Sequence, residues 1–154
     1  MTHTGKNMNE YRNILLAVDF SEDDHYVAQK AKHMAEKLKA ELSIIHVLDN
    51  IPMPDTAYGT VIPLDTPTSY ASLEVEKSNL VNIADQLGVK PIHRCLVWGE
   101  PKQEIARFAE KYQIDLIVVG SHGRHGLALL LGSTAKGVLH YAKCDVLAIR
   151  LQEE

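Results

Sequence analysis

The sequence predicts an α/β protein with a single doubly wound, five-stranded parallel sheet that is flanked by helices. Five short apolar segments alternate with four amphipathic ones, and the order β-α-β-α-β-α-β-α-β is typical of parallel strands joined by right-handed crossovers. The apolar segments are nearly continuous, as expected for strands covered on both faces. A length of 154 residues with 45% hydrophobic residues suits one compact domain, and no linker divides it.

The first half of the chain contains two strands and two helices. Residues 13–18 and 42–48 are the first two strands, and a helix lies between them with Ser21 as its predicted cap. The core positions of this helix have helical spacing: Val27, Ala31, Met34, Ala35 and Leu38. Residues 49–67 contain four prolines and predict a long loop, after which a second helix extends from about residue 69 to 87 and ends at Gly88. Residues 1–10 are polar and predict a flexible leader before a domain of residues 11–151.

The second half of the chain repeats this alternation with shorter elements. Residues 91–97 predict a third strand, and Pro101 suits the first turn of the helix that follows, because proline lacks the N–H that a first turn leaves unpaired. Residues 115–119 and 145–149 predict the last two strands. Between them lie a glycine-containing loop, residues 120–132, and a helix from about residue 133 to 142.

Composition excludes several classes of function. A formal net charge of −4 disfavours a nucleic-acid-binding surface. The longest apolar stretch, residues 127–131, is far shorter than the roughly 20 residues of a membrane-spanning helix. Only Cys95 and Cys144 occur, which indicates neither a disulfide framework nor a zinc ribbon and favours a cytoplasmic location.

A ligand site is expected where the strand order of a doubly wound sheet reverses, beyond the carboxyl ends of the strands. The reversal is expected between the first and fourth strands, whose ends carry Asp19 and Gly120. Asp19 could accept a hydrogen bond from a ribose hydroxyl, position a magnesium ion, or simply cap the turn into the first helix. The start of the last helix at Gly132, Ser133 and Thr134 offers unpaired N–H groups and a positive dipole end to an anion. No Walker-type Gly-x-x-x-x-Gly-Lys-Ser/Thr motif is present.

At this point the sequence resembles the universal stress protein family over nearly the whole chain, residues 11–151. The resemblance lies in residues 13–21, 45–47, 99–101, 115–126, 131–133 and 144–147. It implies a sheet of order 3-2-1-4-5, cytoplasmic roles in stress endurance, dimerisation through the last strand and, as in some members, binding of ATP or AMP, with Mg²⁺ if ATP is bound. Carried over position by position, adenine and ribose would contact Ala17, Val18, Asp19, Val47 and Val119. The phosphates would contact Gly120, Gly123, Gly132, Ser133 and Thr134.

The glycine loop departs from the family pattern in one respect. Nucleotide-binding members show G-x2-G-x9-G-(S/T), whereas eight residues separate Gly123 from Gly132 here. Two hypotheses follow: a stress protein that binds adenine nucleotide and acts through partner proteins, or a dimeric interaction protein whose shortened loop has closed the phosphate site. Slow ATP hydrolysis is a third interpretation, although no general base is clearly placed and no Walker lysine is present.

Several residues have plainer interpretations. His46 is expected to be a hydrogen-bonded core histidine, and Cys144 a small buried apolar residue. His122 and His125 are expected to be solvated loop histidines, and His140 and Cys144 are not expected to converge, so no metal site is predicted. Ser133 could be only an N-cap. The last strand, with few charges along residues 146–149, is expected at a sheet edge that needs a cover. The resemblance implies that the equivalent strand of a second subunit covers it, although antiparallel packing through helices would serve equally well.

Overall fold

The computed structural model describes residues 10–49, 51, 58–68, 70–121 and 131–151. The five strands are β1 (Asn13–Ala17), β2 (Glu41–Leu48), β3 (Arg94–Trp98), β4 (Leu116–Gly120) and β5 (Asp145–Ile149). They form one parallel sheet of order β3-β2-β1-β4-β5, which confirms the predicted fold class and strand order. Strand β1 therefore lies at the centre, where the direction of winding reverses.

Four helices cover the two faces of this sheet: α1 (Asp24–Leu38), α2 (Ala71–Leu87), α3 (Pro101–Lys111) and α4 (Ser133–Tyr141). One core cluster joins α1 and α2 to the sheet through residues such as Val27 and Leu80, and a second joins α3 and α4 through Ile105 and Val138. The centre of the sheet is fully buried, because Ile14, Leu15 and Leu16 of β1 expose no surface to solvent.

Several predicted boundaries need correction. Asp23, not Ser21, is the N-cap residue of α1, and its side chain makes no capping bond. Gly132, not Ser133, is the N-cap residue of α4. Strand β3 begins at Arg94 because Pro91–His93 form a 3₁₀ turn, with a proline that cannot donate to a sheet ladder. These differences are of one to three residues and leave the element order unchanged.

Part of the predicted 49–67 loop adds to the sheet. Val61 forms an antiparallel bridge with Val97, and the Ile62 N–H donates to the Leu96 carbonyl at 2.8 Å. The Trp98 N–H donates in turn to the Thr60 carbonyl at 3.1 Å. Residues 58–62, called the edge segment below, therefore cover the outer side of β3.

Two predicted features fall outside the described residues: the flexible leader, apart from its last residue, and most of the glycine loop, including Gly123. Within the described ranges, no helix combines the length and the apolar composition that crossing a membrane requires.

Candidate functional site

The carboxyl ends of β1 and β4 lie side by side, as the predicted crevice requires. Ile14, Leu15 and Leu16 are in register with Leu116, Ile117 and Val118, so the residues after Leu16 and Val118 emerge at the same end of the sheet. From there the chain turns into α1 on one side and toward α4 on the other. Asp19 and Gly120 thus flank the point where the strand order reverses.

The turn from β1 into α1 is held by carboxylates. The Asp19 Oδ1 atom accepts the Ser21 N–H at 3.0 Å, which confirms that this side chain organises the turn. Asp24, which is only 8% exposed, accepts the Asp19 N–H at 3.3 Å and the Phe20 N–H at 2.5 Å. Phe20 has a left-handed backbone, φ 59°, which is strained for a residue with a side chain. The Asp24 carboxyl group therefore holds a strained turn in place beside Asp19.

Asp24 has an unusual protonation equilibrium. Burial, together with the adjacent negative charge of Asp19 and a hydrogen bond to it, raises the pKa of Asp24 to about 7, although the two N–H donors oppose this shift. Near neutral pH a proton therefore joins and leaves the carboxyl group behind the predicted ribose-binding residue. The sequence predicted Asp24 only as one of several acids favoured at the start of α1.

His46 is buried behind the same turn. Its Nδ1 lies 2.8 Å from the Val18 carbonyl oxygen, and its ring stacks on Phe20 with centroids 4.0 Å apart. The prediction of a hydrogen-bonded core histidine is confirmed. On its other side, Nε2 lies 3.4 Å from the Glu76 Oε2 atom on α2.

The opposite side of the crevice consists of backbone. The Gly132 N–H donates to the Ser121 carbonyl at 2.7 Å, and the Ser121 N–H donates to the Ile149 carbonyl at 2.8 Å. These bonds place the N-cap residue of α4 directly beside the end of β4. The two ends of the glycine loop are therefore adjacent despite its eight-residue spacer.

The first turn of α4 presents the groups that an anion needs. Gly132 has an extended backbone (φ −65°, ψ 158°), and no side chain within the described ranges caps this end. The N–H groups of Ser133, Thr134 and Ala135 have no partner within the helix, because helical bonding begins with Lys136 donating to the Gly132 carbonyl. Ser133 is exposed and Thr134 half-buried, so both hydroxyls lie near the surface.

The remaining predicted contact residues line the same end of the sheet. Val18, Val47 and Val119 are buried, whereas Ala17 is half-buried at the end of β1. The structure therefore brings Ala17, Val18, Asp19, Val47, Val119, Gly120, Gly132, Ser133 and Thr134 to the carboxyl end of the sheet. Gly123 lies outside the described residues, so its predicted contact stays a prediction.

Neither a metal cluster nor a reactive thiol is found in the described ranges. No three His, Cys, Asp or Glu side chains there lie close enough together to hold a metal ion. His122 and His125 lie outside those ranges. Burial, reinforced by nearby carboxylates, raises the pKa of the free thiols Cys95 and Cys144 to about 11 each, which disfavours the nucleophilic thiolate.

A cleft of about 530 Å³ opens elsewhere, where β3 leads into α3. Its lining residues are Asp49, Tyr58, Gly99, Glu100, Pro101, Gln103, Glu104 and Arg107. Gly99 has φ 155°, and a Cβ atom there would meet the Glu104 Cγ at 2.6 Å, so only glycine fits. Glu104 is buried and pairs with Arg107. Among the predicted nucleotide contacts that the structure describes, none lines this cleft.

Sequence reasoning missed Asp24, which holds the β1–α1 turn, and Glu76, which lies 3.4 Å from the buried His46. The sequence has three consecutive acids at residues 22–24 and does not indicate which one is buried, because that depends on how α1 is rotated about its axis against the sheet. Glu76 lies on α2, thirty residues beyond His46 in the chain. The only sequence signal for it is an acid on a helix that must pack over a strand carrying a buried histidine.

The sheet order, the central switch point and the open helix end define a doubly wound α/β protein of the kind that binds ligands beyond its parallel strands. The model of the universal stress protein family matches residues 10–150. The chain belongs to this family.

Individual relatives agree with this assignment. The chain is 39% identical over 146 residues to universal stress protein A homolog 2 of Coxiella burnetii, an alignment that covers 94% of this chain and 99% of that protein. Among solved structures, the universal stress protein UspA from Lactobacillus plantarum has a TM-score of 0.60 at 25% identity, covering 92% of this chain and 99% of that one. A universal stress protein in complex with cAMP has a TM-score of 0.60 at 24% identity and covers 91% of this chain and 97% of that one, a likeness of fold.

Proposed function

We propose that this universal stress protein binds an adenine nucleotide, ATP or AMP, in the crevice between β1 and β4, and that nucleotide occupancy changes its interaction with a partner protein. Mg²⁺ would accompany ATP through the phosphates. Asp19 would accept a ribose hydroxyl, and the first turn of α4 would bind phosphate oxygen.

The observation that carries this proposal is the 2.7 Å bond from the Gly132 N–H to the Ser121 carbonyl. It joins the open N-terminus of α4 to the end of β4, where phosphate groups need both N–H donors and a positive dipole. The relative solved with cAMP gives support of a different kind, because its ligand is also an adenine nucleotide.

Binding at this site would need little positive charge. The protein has a formal net charge of −4, so a nucleotide phosphate is not attracted by the molecule as a whole. Uncharged backbone N–H groups and the helix dipole attract phosphate oxygen locally without a lysine or arginine. We accordingly expect moderate affinity, which tolerates salt better than a site built from cationic side chains would.

Calorimetric titration with ATP, AMP and adenosine tests the proposal. Asp19→Ala should weaken all three ligands, because it removes the ribose acceptor. The double variant Ser133→Ala/Thr134→Val should weaken ATP and AMP but leave adenosine unchanged, because only the phosphate groups reach α4. Asp65→Ala serves as the matched control, because it removes an exposed carboxylate that is distant in the sequence from the residues predicted to contact the nucleotide. No heat of binding with any adenine nucleotide at millimolar concentration would refute the proposal.

The eight-residue spacer supports a second candidate, a dimeric interaction protein that binds no nucleotide. Insertion of one alanine after Gly126 restores the family spacing and separates the candidates. If the short spacer abolishes binding, the insertion variant gains nucleotide affinity that the wild type lacks. Native mass spectrometry of freshly purified protein adds a direct test, because bound nucleotide in the wild type contradicts this candidate.

The assembly that we propose is a homodimer through the outer side of β5, which lies at an edge of the sheet. A cytoplasmic location belongs to the same proposal and is consistent with the two free thiols. Hydrolysis would be slow at most, because no Walker lysine is present. ATP turnover well above a no-protein control, and lost in Asp19→Ala, would show that the protein is an enzyme.

A further inference from the structure

His46 and Glu76 form a buried ionisable pair that the proposed nucleotide contacts do not include. The His46 side chain is 3% exposed and the Glu76 side chain 14%, and His46 Nε2 lies 3.4 Å from Glu76 Oε2. The pair connects β2 to α2. It lies on the face of the sheet that α1 and α2 cover, because its strand neighbours Ile44 and Leu48 belong to that core cluster.

The contacts of the ring determine where one proton must be. Nδ1 lies 2.8 Å from the Val18 carbonyl oxygen, which can only accept, so Nδ1 carries a proton. A neutral imidazole would then direct the Nε2 lone pair at Glu76. An ionised carboxylate would direct a second lone pair back at it, which is unfavourable in a buried site. A second proton between Nε2 and Oε2, on either atom, makes the arrangement favourable.

This proton is linked to the candidate site through two contacts of the same ring. Val18 and Phe20 are the residues on either side of Asp19. His46 holds the Val18 carbonyl by a hydrogen bond and the Phe20 ring by stacking at 4.0 Å. Phe20 has a strained backbone, so its position depends on such contacts. A change in the ring of His46 therefore acts on the turn that presents Asp19.

Other charged groups surround the pair. The β1–α1 turn contributes Asp19, and α1 contributes Asp24, which accepts the Phe20 N–H. On α2, Lys77 follows Glu76, but its ammonium group donates to the Thr66 carbonyl and to Glu74 at 3.2 Å. On β3, the residue in register with His46 is the uncharged Leu96. The charged side chains that the turn and the start of α1 contribute here are thus acidic.

We propose that a proton shared between His46 Nε2 and Glu76 Oε2 positions the β1–α1 turn for ligand binding, so that affinity for adenosine falls when the pair loses this proton to solvent. His46 and Glu76 act as positioning residues through Val18 and Phe20. The expected change in adenosine affinity rests on the proposed function. The expected change in the structure of the β1–α1 turn does not.

The first experiment measures adenosine affinity by calorimetry between pH 6 and pH 9, because adenosine has no phosphate to titrate. In the wild type the affinity should fall by about fivefold or more, the lower end of typical coupling between sites. With Asp24→Asn in both proteins, so that the pKa of about 7 at Asp24 does not contribute, Glu76→Gln should bind equally well across the range, because the amide donates to Nε2 without needing the extra proton. Glu36→Gln, an exposed change on α1, should keep the wild-type profile. In the Asp24→Asn background, a Glu76→Gln profile parallel to that of the protein with Glu76, whether sloping or flat, would overturn the inference.

The second experiment follows the ring nitrogens of His46 and the amides of Asp19 and Phe20 by NMR over the same pH range. Because Asp24 accepts both amides and has a pKa of about 7, this experiment uses the Asp24→Asn background. There Nε2 should share a proton at pH 6, and the two amides should titrate with the His46 ring but not when Glu76→Gln is added. The Glu76→Gln amide spectrum also shows whether that variant is folded. If no variant binds adenosine, the proposed function fails, and this measurement still decides the inference. An unprotonated Nε2 at pH 6, or amides that do not follow the ring, would overturn it.

Discussion

The two edges of the sheet are built differently. At β3 the protein's own edge segment pairs with the strand, and Cys95, Leu96 and Val97 are buried. At β5 no part of the described chain pairs with the outer side, and residues 146–148 are only half-buried. Both strands are short and apolar, so composition does not distinguish them.

The difference shows that an edge strand can be covered in two ways. An unpaired row of N–H and C=O groups invites another strand unless something blocks it. The long β2–α2 connection is long enough to return over β3, whereas no residue in the described ranges pairs with the outer side of β5. The β5 edge is therefore where the proposed second subunit would pair, and the β3 edge is where we expect none.

The largest effect on the free energy of unfolding is expected at Asp24, near the centre of the sheet, and not at either edge. Because this effect depends on pH, the two edges should be compared at one fixed pH. The pKa of Asp24 is raised from 3.8 to about 7 in the folded protein, so its favourable contribution is complete below about pH 4 and is lost as pH rises through 7. Asp24→Asn should match the wild type near pH 4 and exceed its free energy of unfolding at pH 8 by up to about 4 kcal/mol. Urea titrations at both pH values measure this, with exposed Asp23→Asn as the control. Equal stability of Asp24→Asn and wild type at pH 8 would contradict it.

Detaching the edge segment should have the next largest effect. Ile62 is 5% exposed and packs in the α1–α2 core cluster. Ile62→Ala should lower the free energy of unfolding by about 3 kcal/mol. It should also speed hydrogen exchange at the Trp98 N–H, which donates to Thr60, more than at amides of β1. Uniform acceleration at every amide would mean that the segment does not open by itself.

Blocking the open edge should weaken dimerisation by about 100-fold, the equivalent of about 3 kcal/mol. Ser121 donates to the Ile149 carbonyl, so Ile149 faces β4 and, by alternation, Ala148 directs its N–H outward. Ala148→Pro therefore removes a donor from the outer side while leaving the β4 ladder intact. Light scattering across a dilution series measures the dimer.

The other edge supplies the matched control for this variant. The bonds of Thr60 and Ile62 to β3 leave the Val61 N–H directed away from the sheet. Val61→Pro should not change the dimer. A dimer that survives Ala148→Pro and dissociates in Val61→Pro would reverse the roles of the two edges.

A smaller effect is expected at the attachment of residues 64–68 to α2. Lys77 is buried, and its ammonium group donates to the Thr66 carbonyl, while Glu74 accepts the Thr68 N–H at 2.6 Å. Lys77→Met preserves the apolar stem but removes the donor, and should cost about 2 kcal/mol in thermal or urea unfolding. Lys30→Met, an exposed change on α1, should cost far less. Equal losses in the two variants would show that the buried ammonium group contributes nothing specific.

The smallest effect is expected where β5 begins. The Tyr11 hydroxyl donates to the Asp145 Oδ2 atom at 2.7 Å, and this bond raises the pKa of Tyr11 above 10. Tyr11→Phe should lower the free energy of unfolding by about 1 kcal/mol at pH 8. The contribution of the bond is present below pH 10 and is lost as pH rises above it, so the two proteins should converge there. A difference that persists unchanged above pH 10 would exclude this bond as its cause.

The candidate site was predictable where the signal is local. Asp19 and Gly120 each follow a buried apolar run, and Gly132 stands at the start of an amphipathic segment, so the order of elements alone brings them to one end of the sheet. His46 was correctly expected to be a hydrogen-bonded histidine, because an imidazole in a buried strand needs a partner. Its partner on α2 was not predictable, since nothing near Glu76 in the sequence identifies the strand beneath it.

The same distinction applies to the whole molecule. Hydrophobic periodicity and turn residues act over a few neighbouring positions, and they were sufficient for five strands, four helices, their parallel arrangement and the crevice at the central strand. The tertiary structure determined that Asp24, not Ser21, holds the β1–α1 turn, and that a proline-rich connection returns to cover β3. It also determined that the eight-residue spacer leaves Ser121 and Gly132 in contact. Each of these results depends on how one element is rotated and packed against distant parts of the chain. The residues of that element do not by themselves encode this packing.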